Sequence, residues 1–291
     1  MKRYLGAPQD RFVAKASLDR WEDLVTHNAA FMSANNAIAR IVFAQIAVSH
    51  IMAAAKHWDG PVHFITLVPK ACTFEVGDGR PVWGRELNLK WRRQGPAANF
   101  NIHVLQQMAR QALGSIPFVG MVEASLWRLY RKDQPRRFNQ RISWHCHLIV
   151  WGASRADIED RLKAFRKQHT AMVDDMSPAH IKLVHEADLE RQTFYMLKAP
   201  QKVSEYKFRA NPWTSRATGI TRPPGWGTQK DWLSTGDRVR MLDIVGDRKL
   251  DKLLFGNGAG TDIVHVVRHE ALAVHERWIR EDMRRNPRHY H

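Results

Sequence analysis

The alternation of strand-like and helix-like segments between residues 62 and 186 most limits how this chain can fold. It begins with VHFITLV at 62–68, an apolar run rich in β-branched and aromatic residues that ends at a proline. Apolar periodicity then predicts a helix over 102–113, strands over 117–129 and 142–151, a helix over 156–172, a strand over 181–184 and a helix over 188–198.

The order strand, helix, strand, strand, helix, strand is the split βαβ arrangement of ferredoxin-like sheets. We therefore predict an α+β fold with a central antiparallel sheet flanked by helices over residues 59–206. Helical extensions are expected on either side, at 1–58, with helices over 17–57, and at 207–291. Residues 207–232 contain three prolines and three tryptophans and are interpreted as a basic loop or linker. Short helices and a charged tail are expected after it.

The charge of the chain indicates a polyanionic partner. Its 291 residues include 45 Lys and Arg against 29 Asp and Glu, a net charge of +16. Nucleic acid is the first partner this favours, and an anionic membrane surface the second. No signal peptide is recognisable, and the most apolar window, at 37–55, contains Arg40, so no membrane association is expected. The two cysteines exclude a disulfide framework and favour the cytoplasm.

The strand predicted over 142–151 carries the most chemical information. It contains Ser143-Trp-His-Cys-His-Leu-Ile-Val-Trp151. Successive side chains of a strand point to opposite faces, so His145 and His147 share one face while the apolar residues share the other. Two adjacent imidazoles can share a divalent cation. A surface pair without a ligand is the alternative, in a chain with 15 histidines.

Three further residues could complete a site around these histidines. Glu123 lies in the neighbouring strand, on the face opposite to its apolar neighbours, so its carboxylate could be a third metal ligand. An exposed strand glutamate is the alternative. Tyr195 and Lys198 are three positions apart in the helix over 188–198, which predicts one shared face. The alternatives are a core aromatic with its hydroxyl at the rim and a cation at a helix C-terminus.

Together these residues resemble the HUH endonuclease superfamily, specifically the rolling-circle replication initiators (Rep proteins) of plasmids and small phages. A first family motif, a core strand, is similar to Phe64-Ile-Thr-Leu67. The second, histidine–hydrophobe–histidine, is matched by His145-Cys146-His147, although cysteine is a less usual middle residue. The third, a tyrosine with a lysine about three positions later, is matched by Tyr195 and Lys198. The resemblance covers about residues 60–200 and identifies this segment as an HUH endonuclease domain.

The resemblance implies an enzyme that nicks one DNA strand at an origin and can reseal it. Tyr195 would attack a phosphodiester, form a covalent 5′-phosphotyrosine and release a 3′-hydroxyl. A divalent ion, Mg or Mn, held by His145, His147 and Glu123 would polarise the scissile phosphate, and Lys198 would add positive charge. The implied partners are single-stranded or hairpin origin DNA. A host helicase and polymerase are also implied, because the sequence contains no Walker-type phosphate-binding loop.

Two basic segments with interleaved aromatic residues, at 85–93 and 126–141, are predicted to contact DNA. Basic side chains can follow phosphates while aromatic rings stack on bases, and a solvated charged loop is the alternative. Tyr206, eleven residues after Tyr195, is a second candidate nucleophile or a loop aromatic. The basic residues expected at DNA are Arg128, Arg131, Lys132, Arg136, Arg137, Lys90, Arg92 and Arg93.

Other functions are compatible with part of the pattern. Within the same superfamily, the chain could be a relaxase or a single-tyrosine transposase. From a different class, a non-catalytic ferredoxin-like nucleic-acid binder, such as a repressor, would have the same charge and incidental histidines. A metal-dependent hydrolase is a third alternative, although it would need more carboxylate ligands than the sequence offers near the histidines.

Overall fold

The computed structural model of the chain describes residues 32–34, 37–75, 96–134, 137–173, 176–199, 202–214, 221–246 and 248–285. Helices flank a curled mixed sheet, so the α+β prediction is confirmed. Several sequence-based expectations concern residues outside these ranges. They are helix formation over 17–31, a basic segment at 85–93 with Lys90, Arg92 and Arg93, and the predicted contact by Arg136.

Between residues 62 and 197 the described helices and strands follow the predicted order, with one additional short strand, Thr73–Glu75, after the first strand. The helices are α1 (Ala37–Ala55), α2 (Ile102–Leu113), α3 (Arg155–Gln168), α4 (Glu186–Leu197), α5 (Thr235–Val245), α6 (Leu250–Leu253) and α7 (Ala259–Arg285). The strands are β1 (Val62–Leu67), β2 (Thr73–Glu75), β3 (Phe118–Tyr130), β4 (Phe138–Val150), β5 (Ala179–Val184), β6 (Lys202–Arg209), β7 (Trp213–Thr214), β8 (Thr221–Arg222), β9 (Gly225–Trp232) and β10 (Leu254–Asn257). A 3₁₀ turn, Lys70–Cys72, precedes β2.

The sheet is mixed, whereas the sequence predicted an antiparallel one. Its strands lie in the order β5-β1-β4-β3-β6-β9, and the first four pair only antiparallel with one another. The sheet becomes mixed where β6 joins β3 in parallel, and β9 then pairs with β6 antiparallel. Two short strands add to the centre, since β2 pairs with β4 and β10 with β3. The strands β7 and β8 form a separate pair.

The interpretation of 207–232 as a loop or linker is wrong for its described residues. This stretch includes the end of β6 and the whole of β9, which extend the main sheet. The prolines Pro212, Pro223 and Pro224 lie between strands, where no backbone N–H is needed for a ladder. The prolines therefore indicated the turns correctly, but the composition of this stretch did not predict the strands between those turns.

The C-terminal region also differs from the predicted series of short helices. α7 continues for 27 residues, and β10 precedes it. The connection from β10 to α7 requires glycine at two positions. Gly258 has a φ of +52°, and a side chain at Gly260 would clash with the backbone carbonyl of Phe118. These glycines let the start of α7 approach β3 closely.

Local sequence signals account for the ends of the helices around the sheet. The Asn101 side chain accepts a hydrogen bond from the His103 backbone N–H at the start of α2. Ser154 and Asp157 form a capping box at the start of α3. Within the described residues, no helix has the length and apolar character that crossing a membrane requires.

The cysteine thiols offer a test of the predicted strand faces. Cys146 lies on the apolar face of β4 and Cys72 at the end of the 3₁₀ turn, and both are buried and free. Burial raises the pKa of the Cys72 thiol to about 12 and that of Cys146 further. Because thiolate is the reactive form, we expect neither thiol to react with Ellman's reagent at about pH 8 in the native protein. Both should react after unfolding in guanidinium. Rapid native reaction of Cys146 would contradict this placement.

Candidate metal centre

The pairing of β3 with β4 assembles the predicted metal ligands. Glu123 lies directly opposite His145 in the register. His147, two residues along the same strand, lies opposite Thr66 of β1. All three candidate ligands are buried. The strand alternation inferred from the sequence therefore places them together on one face.

The ligand atoms are close enough to share one cation. The Glu123 Oε2 lies 3.6 Å from Nε2 of His145 and 3.3 Å from Nε2 of His147. The candidate ligand atoms of the three residues all lie within 4.8 Å of one another. Metal–nitrogen bonds of about 2.0–2.1 Å hold neighbouring ligand atoms roughly 3–3.5 Å apart, so a small contraction completes such a site. This Glu123–His145–His147 triad could bind a metal ion.

Hydrogen bonds on the far side of each imidazole orient the histidines. Nδ1 of His145 lies 3.2 Å from the carbonyl oxygen of Ser143, to which it must donate. Nδ1 of His147 lies 2.9 Å from Oγ1 of Thr66. Such outer partners fix the orientation of metal-binding histidines. Thr66 belongs to the predicted first motif, which the sequence identified only as a core strand.

The charges of the triad suit a cation. Burial raises the pKa of the Glu123 carboxyl, but Lys198 and the hydrogen bonds with His145 and His147 hold its net pKa well below the usual value. Burial lowers the pKa of His147 to about 4, although its hydrogen bond with Glu123 acts in the opposite direction. At neutral pH the pair is thus a carboxylate and a neutral imidazole, the forms that bind metals.

Tyr195 and Lys198 both reach the triad, Tyr195 from the last turn of α4 and Lys198 from the residue that caps this helix. α4 ends at Leu197, and Lys198 follows it in an extended conformation. The Lys198 Nζ donates to both carboxylate oxygens of Glu123 at 3.1 Å and lies 4.1 Å from the centre of the Tyr195 ring. The Tyr195 ring lies 5.4 Å from the His147 ring. Tyr195 and Lys198 therefore meet on one side, as their i, i+3 spacing predicts, although Lys198 caps α4 and does not lie within it.

Two further side chains contact the residues around the triad and were not predicted from the sequence. Lys230 of β9 donates from Nζ to the hydroxyl of Tyr195 at 3.1 Å. Arg40 of α1 donates from Nη1 to the backbone carbonyls of Leu197 and Lys198, at 3.3 and 3.0 Å, and so holds the end of α4. The one available signal was Arg40 itself, a charge inside an otherwise apolar helix.

The predicted DNA-contacting residues lie in different surroundings. Arg128 is paired with Glu205 and Asp237, at 3.3 and 2.6 Å, and only 21% of its side chain is exposed. Arg131, Lys132 and Arg137 are exposed. The structure therefore places Arg128 in an internal ionic network and the other three at the surface.

The two candidate nucleophiles differ in their position relative to the triad. Tyr206 lies on β6 opposite Leu129 of β3, six residues beyond Glu123. Six residues of strand span about 20 Å. Tyr206 is also buried, with its ring 5.5 Å from that of Trp226. Of the two tyrosines, Tyr195 is the one beside the triad.

Comparisons with known proteins do not assign the chain to a family. No protein-family model matches it, and neither a curated protein nor a solved structure matches it at a significant level. The chemical interpretation of the site therefore depends on its own residues and their geometry.

Removal of the two imidazoles should abolish metal binding. We expect saturating Mn²⁺ or Zn²⁺ to raise the melting temperature of the wild-type protein by several degrees, because a ligand that binds only the folded state stabilises it. The double substitution His145→Ala/His147→Ala should eliminate this rise. His265→Ala, at an exposed position on α7, is the matched control and should retain it. The same metal response in the double variant and the control would contradict the proposed ligands.

Lys198 should oppose metal binding, because its ammonium pairs with the carboxylate that a cation would need. We expect Lys198→Met to raise the affinity for Mn²⁺ about tenfold or more, as a nearby positive charge is removed. Isothermal titration would measure this change. Lys207→Met is the control, since Lys207 pairs with a different buried carboxylate, Glu205, at 2.8 Å. Weaker binding by Lys198→Met would show that Lys198 supports the site instead.

Proposed function

We propose that this protein is a metal-dependent single-strand DNA endonuclease and ligase of the HUH type, which initiates rolling-circle replication by nicking an origin. The observation that carries the proposal is the position of Tyr195, whose ring contacts His147 while its hydroxyl accepts a hydrogen bond from Lys230. A tyrosine that only stabilised the core would not need a lysine at its hydroxyl beside two histidines and a carboxylate.

The sheet supports the superfamily assignment. The strand order β5-β1-β4-β3, with only antiparallel neighbours, is the order of a ferredoxin-like sheet built from strand, helix, strand, strand, helix, strand. The three motifs fall on its elements in the expected places. Phe64-Ile-Thr-Leu67 lies on β1, the histidine pair on β4, and Tyr195 on the helix that follows β5.

The chemistry would be a transesterification at phosphorus. The Tyr195 oxygen forms a bond to the phosphorus while the bond to the 3′-oxygen breaks, leaving a 5′-phosphotyrosine and a free 3′-hydroxyl. The phenolic proton leaves to solvent, and the 3′-oxygen gains a proton. Attack by a 3′-hydroxyl on the phosphotyrosine reverses these changes, so resealing needs no ATP. A polymerase could instead extend the 3′-hydroxyl.

The surrounding residues would perform distinct tasks in this reaction. His145, His147 and Glu123 would hold a divalent ion, Mg or Mn, and that ion would supply Lewis-acid polarisation of the scissile phosphate. Lys230, whose Nζ donates to the Tyr195 hydroxyl, would stabilise negative charge on the tyrosine oxygen, both in attack and when that oxygen is the leaving group. Lys198, beside the ring of Tyr195, offers a second positive charge near the phosphate.

The covalent adduct tests this function. We would incubate the protein and Mn²⁺ with single-stranded oligonucleotides of random sequence carrying a 3′ fluorescent label, which stays with the protein after attack at a 5′-phosphate. Wild type and Tyr206→Phe should give a labelled protein band on a denaturing gel. Tyr195→Phe should give none, because the nucleophilic oxygen is gone.

Three results would count against the proposal. An adduct in Tyr195→Phe would mean that another residue is the nucleophile. Absence of any adduct in wild type, across sequences and metals, would favour the non-catalytic binding protein. An adduct that requires the Tyr195 hydroxyl but forms only on transfer or transposon-end DNA would indicate a relaxase or a transposase of the same superfamily.

A further inference from the structure

One face of the β6–β9 hairpin combines aromatic rings with lysines. Alternation along β6 and the antiparallel register with β9 define which residues share that face. None of the eight is acidic. We name this surface the aromatic–lysine face, and its members are Lys202, Ser204, Tyr206, Phe208, Trp226, Thr228, Lys230 and Trp232.

The aromatic–lysine face continues the face that carries the triad. Ser204 lies opposite Trp127 of β3, and Trp127 is four residues from Glu123, an even spacing that keeps both on one side of the sheet. Lys230 joins the two regions, because its Nζ reaches the hydroxyl of Tyr195. An extended ligand bound along the hairpin would therefore reach Tyr195.

The other face of the hairpin is engaged inside the protein. Glu205 is buried there and pairs with Arg128 and Lys207, and it accepts a hydrogen bond from Gln229. Asp237 of α5 pairs with the same arginine. These contacts fix the hairpin against the rest of the fold. On the aromatic–lysine face, Ser204 and Tyr206 are buried, whereas Phe208 and Trp232 are exposed.

Two of the four rings on the aromatic–lysine face are exposed, while Trp226 is half-buried and Tyr206 is buried. Trp232 is 62% exposed and Phe208 is 49% exposed. The rings of Phe208 and Trp226 lie 6.0 Å apart. Lysine ammonium groups accompany them, with Lys202 Nζ 5.0 Å from the ring centre of Trp232 and Lys132 Nζ 5.8 Å from that of Trp226. Exposed large apolar side chains among cations are typical of a binding surface.

We propose that the aromatic–lysine face binds single-stranded DNA and delivers it to Tyr195, an inference that rests on the proposed function. Bases would stack on Phe208, Trp226 and Trp232, while Lys202 and Lys230 contact phosphates. Stacking needs unpaired bases, so a duplex does not fit this surface. Trp226 and Trp232 are six residues apart, about 20 Å, which is long enough for several nucleotides.

Most of the proposed DNA contacts are residues that composition did not suggest. The basic segment at 126–141 contributes Lys132 to the proposed DNA contacts. Arg128 of that segment instead forms ion pairs with carboxylates inside the protein. Charge favours a polyanion over an apolar peptide, given the lysines on the face and the net charge of +16.

Binding of a labelled oligothymidine of about ten nucleotides, followed by fluorescence anisotropy without added metal, tests the inference. Phe208→Leu and Trp232→Leu remove the rings but keep apolar side chains at exposed positions. Each should weaken binding about tenfold, the scale of one lost stacking contact. Leu183→Ala, an exposed apolar residue on the opposite edge strand β5, is the control and should bind as wild type. Melting temperatures would verify that all variants are folded.

Two further probes separate stacking from charge. An abasic oligonucleotide of the same length retains the phosphates, so wild type and Trp232→Leu should bind it equally. Lys230→Gln should lower the slope of log K against log salt concentration by about 1. Binding of oligothymidine by Phe208→Leu and Trp232→Leu as tight as wild type would overturn the inference. Wild-type binding to a duplex of the same length as tight as to the single strand would also overturn it, as would tighter binding of an acidic peptide.

These outcomes are independent of the adduct assay. Ring-dependent binding together with no adduct in wild type would remove the proposed nicking function and leave a single-strand-binding face. A Tyr195-dependent adduct together with unchanged binding by the ring variants would retain the nicking function and remove the aromatic–lysine face as the DNA path.

Discussion

The antiparallel register between β3 and β4 determines the candidate site, because it sets Glu123 opposite His145. A slip of one residue would turn every β3 side chain to the other face and separate the carboxylate from both imidazoles. Burial of the alternate residues resists such a slip. Val122, Cys146 and Trp144 are almost completely buried on the other face, and exchanging them with a charged glutamate would be costly. Core packing on one side of the sheet therefore fixes the chemistry on the other.

The second requirement is compensation of the buried charge on Glu123. Lys198 provides it, and Arg40 holds the backbone from which Lys198 extends. A buried carboxylate without a partner would be strongly unfavourable, so the end of α4 and the N-terminal helix α1 are coupled to the triad. The same coupling places the Tyr195 ring against His147. Tyrosine, lysine and metal ligands thus form one electrostatic unit built from β1, β3, β4, α1 and α4.

Sequence reasoning succeeded where periodicity decides the outcome and failed where distant segments meet. Alternation in 143–151 was enough to place His145 and His147 on one face, and the adjacent strand supplied Glu123. Lys230 could not be predicted, because its contact with Tyr195 depends on β9 joining the sheet through β6. Arg128 looked like a DNA contact by composition, yet tertiary packing pairs it with Glu205 and Asp237. A local sequence pattern predicts which face of a strand carries a side chain. Whether a charged side chain is free to contact a ligand depends on partners from distant parts of the chain.

The most direct test of the proposed metal centre is the position of a bound metal relative to Tyr195. Crystals soaked in Mn²⁺ would locate the ion by its anomalous scattering. We expect one strong peak within about 2.0–2.3 Å of Nε2 of His145, Nε2 of His147 and a carboxylate oxygen of Glu123, on the side of the triad that Tyr195 faces. A peak bound elsewhere, or none at saturating Mn²⁺ with the triad unchanged, would contradict it.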